Sequence, residues 1–86
     1  MENLPILKSG NIYIKNREDA VIDGVESILS FEETTLVIMT SLGRLTIEGE
    51  GMVIESLDKE SGKIILKGRI LGLYYSDPKK VRGIFR

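Results

Sequence analysis

Thr35-Leu36-Val37-Ile38-Met39-Thr40-Ser41-Leu42-Gly43-Arg44-Leu45-Thr46-Ile47-Glu48-Gly49 decides the fold class. In an extended chain Leu36, Ile38 and Thr40 fall on one side and Val37 and Met39 on the other, so Thr35–Ser41 reads as a strand. Leu42-Gly43 then makes a tight turn into a second strand, Arg44–Glu48. The same grammar runs outward in both directions. Upstream, Asn11–Lys15, Ala20–Asp23 and Val25–Phe31 are strand-like, separated by Asn16-Arg17-Glu18-Asp19 and by Gly24. Ile12 and Ile14 share a face, and Ala20 and Ile22 are candidates for the core. Downstream come Met52–Leu57 after Gly49-Glu50-Gly51, and a long run Lys63–Tyr75 interrupted at Gly68.

Composition agrees. The chain has 86 residues, 42% apolar and 29% charged, which suits one soluble domain with a modest core. It holds 12 Ile, 5 Val and 4 Thr against one Ala and no Gln, the side-chain set of strands rather than helices. The expected fold is all-β, a small antiparallel sheet folded into a roll or barrel-like stack. Three stretches read apolar-charged-glycine: Ile22-Asp23-Gly24, Ile47-Glu48-Gly49 and Leu66-Lys67-Gly68. Glycine inside a strand marks a bulge or bend, so this repeat predicts strands bent at one level. Unequal spacing excludes a regular solenoid.

Residues 1–10 read as an N-terminal arm, 11–75 as the β domain and 76–86 as a tail of different character. Residues 1–75 carry 8 basic and 12 acidic side chains, whereas Ser76–Arg86 carry 4 basic and 1 acidic. Asp77-Pro78 is a helix-start signal, and Val81, Ile84 and Phe85 then fall on one helical face among Lys79, Lys80, Arg82 and Arg86. So short a helix is marginal in water unless it docks. The tail is thus a candidate docking element for the domain's own acidic surface or a protein partner. Membrane contact is expected only indirectly, because so few residues anchor poorly to lipid alone.

The absent residues narrow the chemistry. No Cys excludes disulfides and thiolate sites, and no His removes the usual general base and the commonest zinc ligand. The carboxylate pairs Glu32-Glu33, Glu48/Glu50 and Asp58/Glu60 read as solvated turn residues. Ser30, Ser41 and Ser61 have no histidine to activate them. The expectation is no catalytic residue, no cofactor, no metal and no enzyme. Met1–Lys8 does not read as a secretory signal, and the expected location is cytoplasmic.

Two binding classes are left. Tyr13 with Lys15 and Arg17, or Tyr74-Tyr75 beside Lys79-Lys80, fits a small β-barrel that stacks single-stranded nucleic acid. An overall charge of −1 disfavours it. Self-association is favoured, because Leu36, Val37, Ile38 and Met39 are apolar on both faces of their strand and require cover on both. That stretch predicts a homo-oligomer built through a strand edge or a sheet face.

The order of landmarks resembles the YabP/YqfC family of sporulation proteins, on its YabP branch. It runs Asn16-Arg17-Glu18, Gly24-Val25, Ser30-Phe31-Glu32, Gly43-Arg44-Leu45-Thr46-Ile47-Glu48-Gly49, then Leu57, Gly62, Lys67-Gly68, Ile70 and Leu73-Tyr74-Tyr75. The resemblance implies a role in endospore formation, in the mother cell of a spore-forming bacterium, without catalytic residues or cofactor. It points to a structural protein acting with another component of spore-envelope assembly.

Overall fold

A computed structural model describes residues 10–76. They form six strands: β1 (Ile12–Lys15), β2 (Asp19–Ile22), β3 (Val25–Glu32), β4 (Thr35–Thr40), β5 (Gly43–Asp58) and β6 (Lys63–Ser76). All pair antiparallel in one sheet of order β1-β2-β6-β5-β4-β3. The sheet is an open roll, as expected of the fold class. Ser76 is the last residue of β6; the helix expected within 76–86 falls on 77–86, outside the described residues.

The strand order conceals a pseudo-twofold plan. The central hairpin β5–β6 is flanked by two smaller hairpins, each covering only the first half of one long strand. Strand β4 pairs with β5 from Thr35↔Glu48 to Thr40↔Gly43, and β2 pairs with β6 from Asp19↔Lys67 to Ile22↔Ile64. Each hairpin tip then continues the pairing over the bend of its long strand. Gly49 and Met52 donate to the carbonyls of Thr34 and Glu33 at 3.0 and 2.9 Å; Gly68 and Ile70 donate to those of Glu18 and Arg17 at 3.0 and 2.8 Å. Leu36 facing Ile47 thus corresponds to Ala20 facing Leu66, and Ile38 facing Leu45 to Ile22 facing Ile64.

Two half-sheets result. The front one contains β3, β4, the first half of β5 and the second half of β6. The rear one contains β1, β2, the first half of β6 and the second half of β5. Their inner faces meet in a single core of Ala20, Ile22, Leu36, Ile38, Leu45, Ile47, Met52, Ile64, Leu66 and Ile70. Each such Ile or Leu contributes about 1.5–3 kcal/mol relative to an exposed side chain. The inward placement of Leu36, Ile38, Thr40, Ala20 and Ile22 follows the alternation read from sequence.

The bends explain two of the three repeated glycines. Gly49 and Gly68 occupy matching places where β5 and β6 turn from one half-sheet to the other. A Cβ on Gly49 would strike the carbonyl of Arg69; one on Gly68, where φ is 135°, would lie 2.7 Å from the Met52 Cα. The backbones approach too closely for a side chain. Gly24 (φ 77°) instead carries the chain from β2 in the rear half-sheet to β3 in the front one. Met52–Leu57 is therefore not a separate strand. The hairpin tip keeps Gly49 and Met52 hydrogen-bonded, so β5 runs unbroken for 16 residues through bulges at 48–49 and 50–53.

Candidate interaction surfaces

The stretch that decides the fold is divided between core and surface. Leu36 and Ile38 are fully buried (0% exposed), so they belong to the subunit interior and not to an association surface. Strand β4 lies between β3 and β5 and therefore has no free edge. Of the four residues read as a self-association site, only Val37 and Met39 face outward, half-buried. A strand apolar on both faces is here covered on one face by its own domain.

Cross-strand pairs share a face, so the register lays out the front outer surface in rows. Ser30, Val37, Thr46 and Tyr74 form one row and Ser27, Met39, Arg44 and Ser76 the next. Tyr74 is 51% exposed, whereas Thr46, between Val37 and Tyr74, is buried. The Arg44 Nε donates to the Ser76 Oγ at 3.2 Å. The result is an outer surface of Val37, Met39 and Tyr74 with Arg44 and small hydroxyl side chains. Its outer margin is β3, where bulges at Glu26 and Leu29 spoil the ladder a second strand would need.

The rear outer surface differs. Its central row, Tyr13-Val21-Ile65-Ser56, is flanked on one side by Lys15, Asp19 and Lys67 and on the other by Asp58 and Lys63. Lys67 pairs with Asp19 at 3.0 Å and reaches Glu55 at 3.9 Å. The Asp19 hydrogen bond and charge, helped by Glu55, raise the Lys67 pKa above its ordinary value. These charges satisfy one another at the surface.

Between the half-sheets the roll has two open sides. On one, β3 faces the second half of β5, and a slot of about 410 Å³ is lined by Val25, Ile28, Leu57 and Asp58 among others. Leu57, whose strand partner Ile64 is a core residue, remains 42% exposed here. The opposite side lies between β1 and the second half of β6. There Ile14 and Tyr75 are 41% and 42% exposed, although they pair with the core residues Ala20 and Leu45.

The remaining candidates resolve into structure. Asp58 closes the β5–β6 turn: its Oδ1 accepts from the Glu60 and Ser61 amides at 3.0 and 3.4 Å, and Gly62 returns to its carbonyl at 2.8 Å. Hydrogen bonding from Ser61 holds the Asp58 carboxyl below its ordinary value. Among the described residues no group of three or more acidic side chains converges as a metal site. The aromatic residues do not form one stacking platform, since Tyr13 lies on the rear outer face, Tyr74 on the front one and Tyr75 at an open side. Arg17 is engaged, its Nε donating to the Ile70 carbonyl at 3.1 Å from a turn in which Asn16 and Arg17 have φ near 54° and 56°. Asn16-Arg17-Glu18 thus fastens one hairpin to the bend of β6.

Comparison with known proteins accounts for these landmarks. The YabP family model matches residues 7–82. The chain belongs to the YabP family. It is 31% identical over 78 residues to the spore protein YabP of Bacillus subtilis (strain 168), a match covering 87% of this chain and 78% of that protein. Membership makes it a sporulation protein, as the resemblance implied. The tail residues Lys79, Lys80, Val81, Arg82, Ile84, Phe85 and Arg86 lie outside the described residues. Sequence reasoning missed the slot between β3 and β5. Its signal was present in Leu57, a large apolar residue at a strand end with the parity of the core.

Proposed function

We propose that this YabP-family chain is a non-enzymatic assembly module, which self-associates through the front outer face and binds another protein of the spore envelope. The observation that carries the reading is the row of Val37, Thr46 and Tyr74 with Met39 beside it. This apolar surface on the middle strands has no covering layer among the described residues. Sheet faces of this kind pack against a second sheet about 10 Å away. The basic apolar tail is a second docking element, and the module works in the cytoplasm of the mother cell.

Light scattering on the purified chain at ~100 μM tests the self-association. A standard interface of ~1,600 Å² holds well below that concentration. The expected mass is a dimer or larger, little changed by added salt because the contact is apolar. A monomer mass would refute it.

A further inference from the structure

The slot between β3 and the second half of β5 combines an apolar floor with charged side chains at its rim. Among its lining residues Glu26 and Asp58 are acidic and Lys59 is basic. Its floor is Val25, Ile28 and Leu57, and its volume of about 410 Å³ lies within the range of sites that accept ligands.

Only one segment outside the described residues complements such a site. Residues 1–9 carry one acid and one base and have no charge reason to prefer it. Residues 77–86 carry four basic side chains and one acid, with Val81, Ile84 and Phe85 between them. They also start in the right place. Ser76, Arg44, Met39 and Ser27 stand side by side across β6, β5, β4 and β3. Three strand spacings separate Ser76 from the slot margin, about 14 Å. Five extended residues span up to ~17 Å, so Val81 reaches the margin and Ile84 and Phe85 reach beyond it.

We propose that Lys79–Arg86 of the same chain seats in the slot between β3 and β5. Ile84 and Phe85 enter the apolar opening beside Ile28 and Leu57, and the basic side chains face the Glu26 and Asp58 carboxylates at its rim. This deepens the docking-tail part of the proposed function by naming its receptor site. It also gives a protein partner with a basic apolar segment a means of displacing the tail.

The absence of native cysteine makes the test direct. Full-length ¹⁵N-labelled chain is given a nitroxide at Arg86→Cys, and amide line broadening is mapped. Broadening centred on Val25–Ile28 and Leu57–Lys59, unchanged on tenfold dilution, is the expected result. In the same spin-labelled chain Glu26→Lys should weaken it about two- to fivefold, the scale of one exposed charge contact. A 1:1 mixture of unlabelled ¹⁵N chain with spin-labelled ¹⁴N chain should show none. Broadening of the same residues in that mixture as well would mean that the slot receives a second copy's tail, and would overturn the intramolecular seat. Broadening elsewhere, or none, would overturn the site itself, the latter leaving the tail to an external surface. A monomer mass would defeat the self-association and leave this proposal standing.

Discussion

The β3–β4–β5 and β1–β2–β6 units follow one plan and end with different exteriors. Each is a hairpin laid on the first half of a long strand, with a glycine bend beyond. On the inside they differ chiefly in bulk: Leu36 faces Ile47 in one, and Ala20 faces Leu66 in the other. On the outside they diverge in kind. The front unit presents Val37 and Met39 among hydroxyl side chains, while the rear unit surrounds Val21 and Ile65 with Asp19, Lys67, Asp58 and Lys63. A shared core constrains the inner faces together, because a void or an excess on either side is felt by both. Nothing couples the outer faces, so one is free to carry charges that satisfy each other and the other to remain apolar.

The largest effects should come from exchanging the inner residues. Leu36→Ala removes a fully buried side chain and is expected to cost about 2–5 kcal/mol in denaturant unfolding. Ala20→Leu inserts bulk at the matching place and should cost about 1–3 kcal/mol. If Ala20→Leu were neutral, the rear half of the core would hold a void, and the packing described here would be wrong.

The bends come next. Gly68→Ala puts a Cβ 2.7 Å from the Met52 Cα at a φ of 135°, and about 3 kcal/mol of destabilisation is expected from strain and overlap together. Gly51 also has a positive φ, 58°, but no heavy atom stands within 4 Å of the Cβ site, so Gly51→Ala should cost only about 1–2 kcal/mol. Equal losses would mean that backbone angle, not close approach, makes glycine necessary at the bend.

The smallest effect concerns Asp58. Its pKa is depressed below 3.8 in the folded chain, so its contribution is present above that value and is lost as the pH falls through the lower folded one. Asp58→Ala should therefore lower the Tm at neutral pH, and the gap from the unaltered chain should narrow in acid. A gap that widened in acid would reverse the sign.

Period-two alternation made the fold class and most inward positions legible, because Leu36, Ile38, Thr40, Ala20 and Ile22 lie on strands whose faces differ. The repeat at Gly49 and Gly68 was also readable, as two bends at one level. What could not be read was the continuity of β5. Gly49-Glu50-Gly51 has the composition of a turn, and partners distant in sequence keep that backbone in the ladder: Ile70 and Arg69 of β6 beside Gly49 and Glu50, and the carbonyls of Thr34 and Glu33, which accept from Gly49 and Met52. The division of Leu36–Met39 between interior and surface was not legible for a related reason. A run apolar on both faces does not show which side its own domain covers, and here the domain covers Leu36 and Ile38. Gly24 has the local spelling of a bend, yet carries a crossover set by strand order.

The contrast between the two exteriors is tested most directly by sedimentation equilibrium on two matched double variants. Val37→Lys with Met39→Lys places charge on the front outer face, and Val21→Lys with Ile65→Lys does the same on the rear. All four residues are half-buried, and neither pair belongs to the core cluster. The front pair is expected to lower the mass to that of a monomer, while the rear pair leaves the oligomer of the unaltered chain. An intact oligomer with the front pair, or dissociation only with the rear pair, would contradict that expectation.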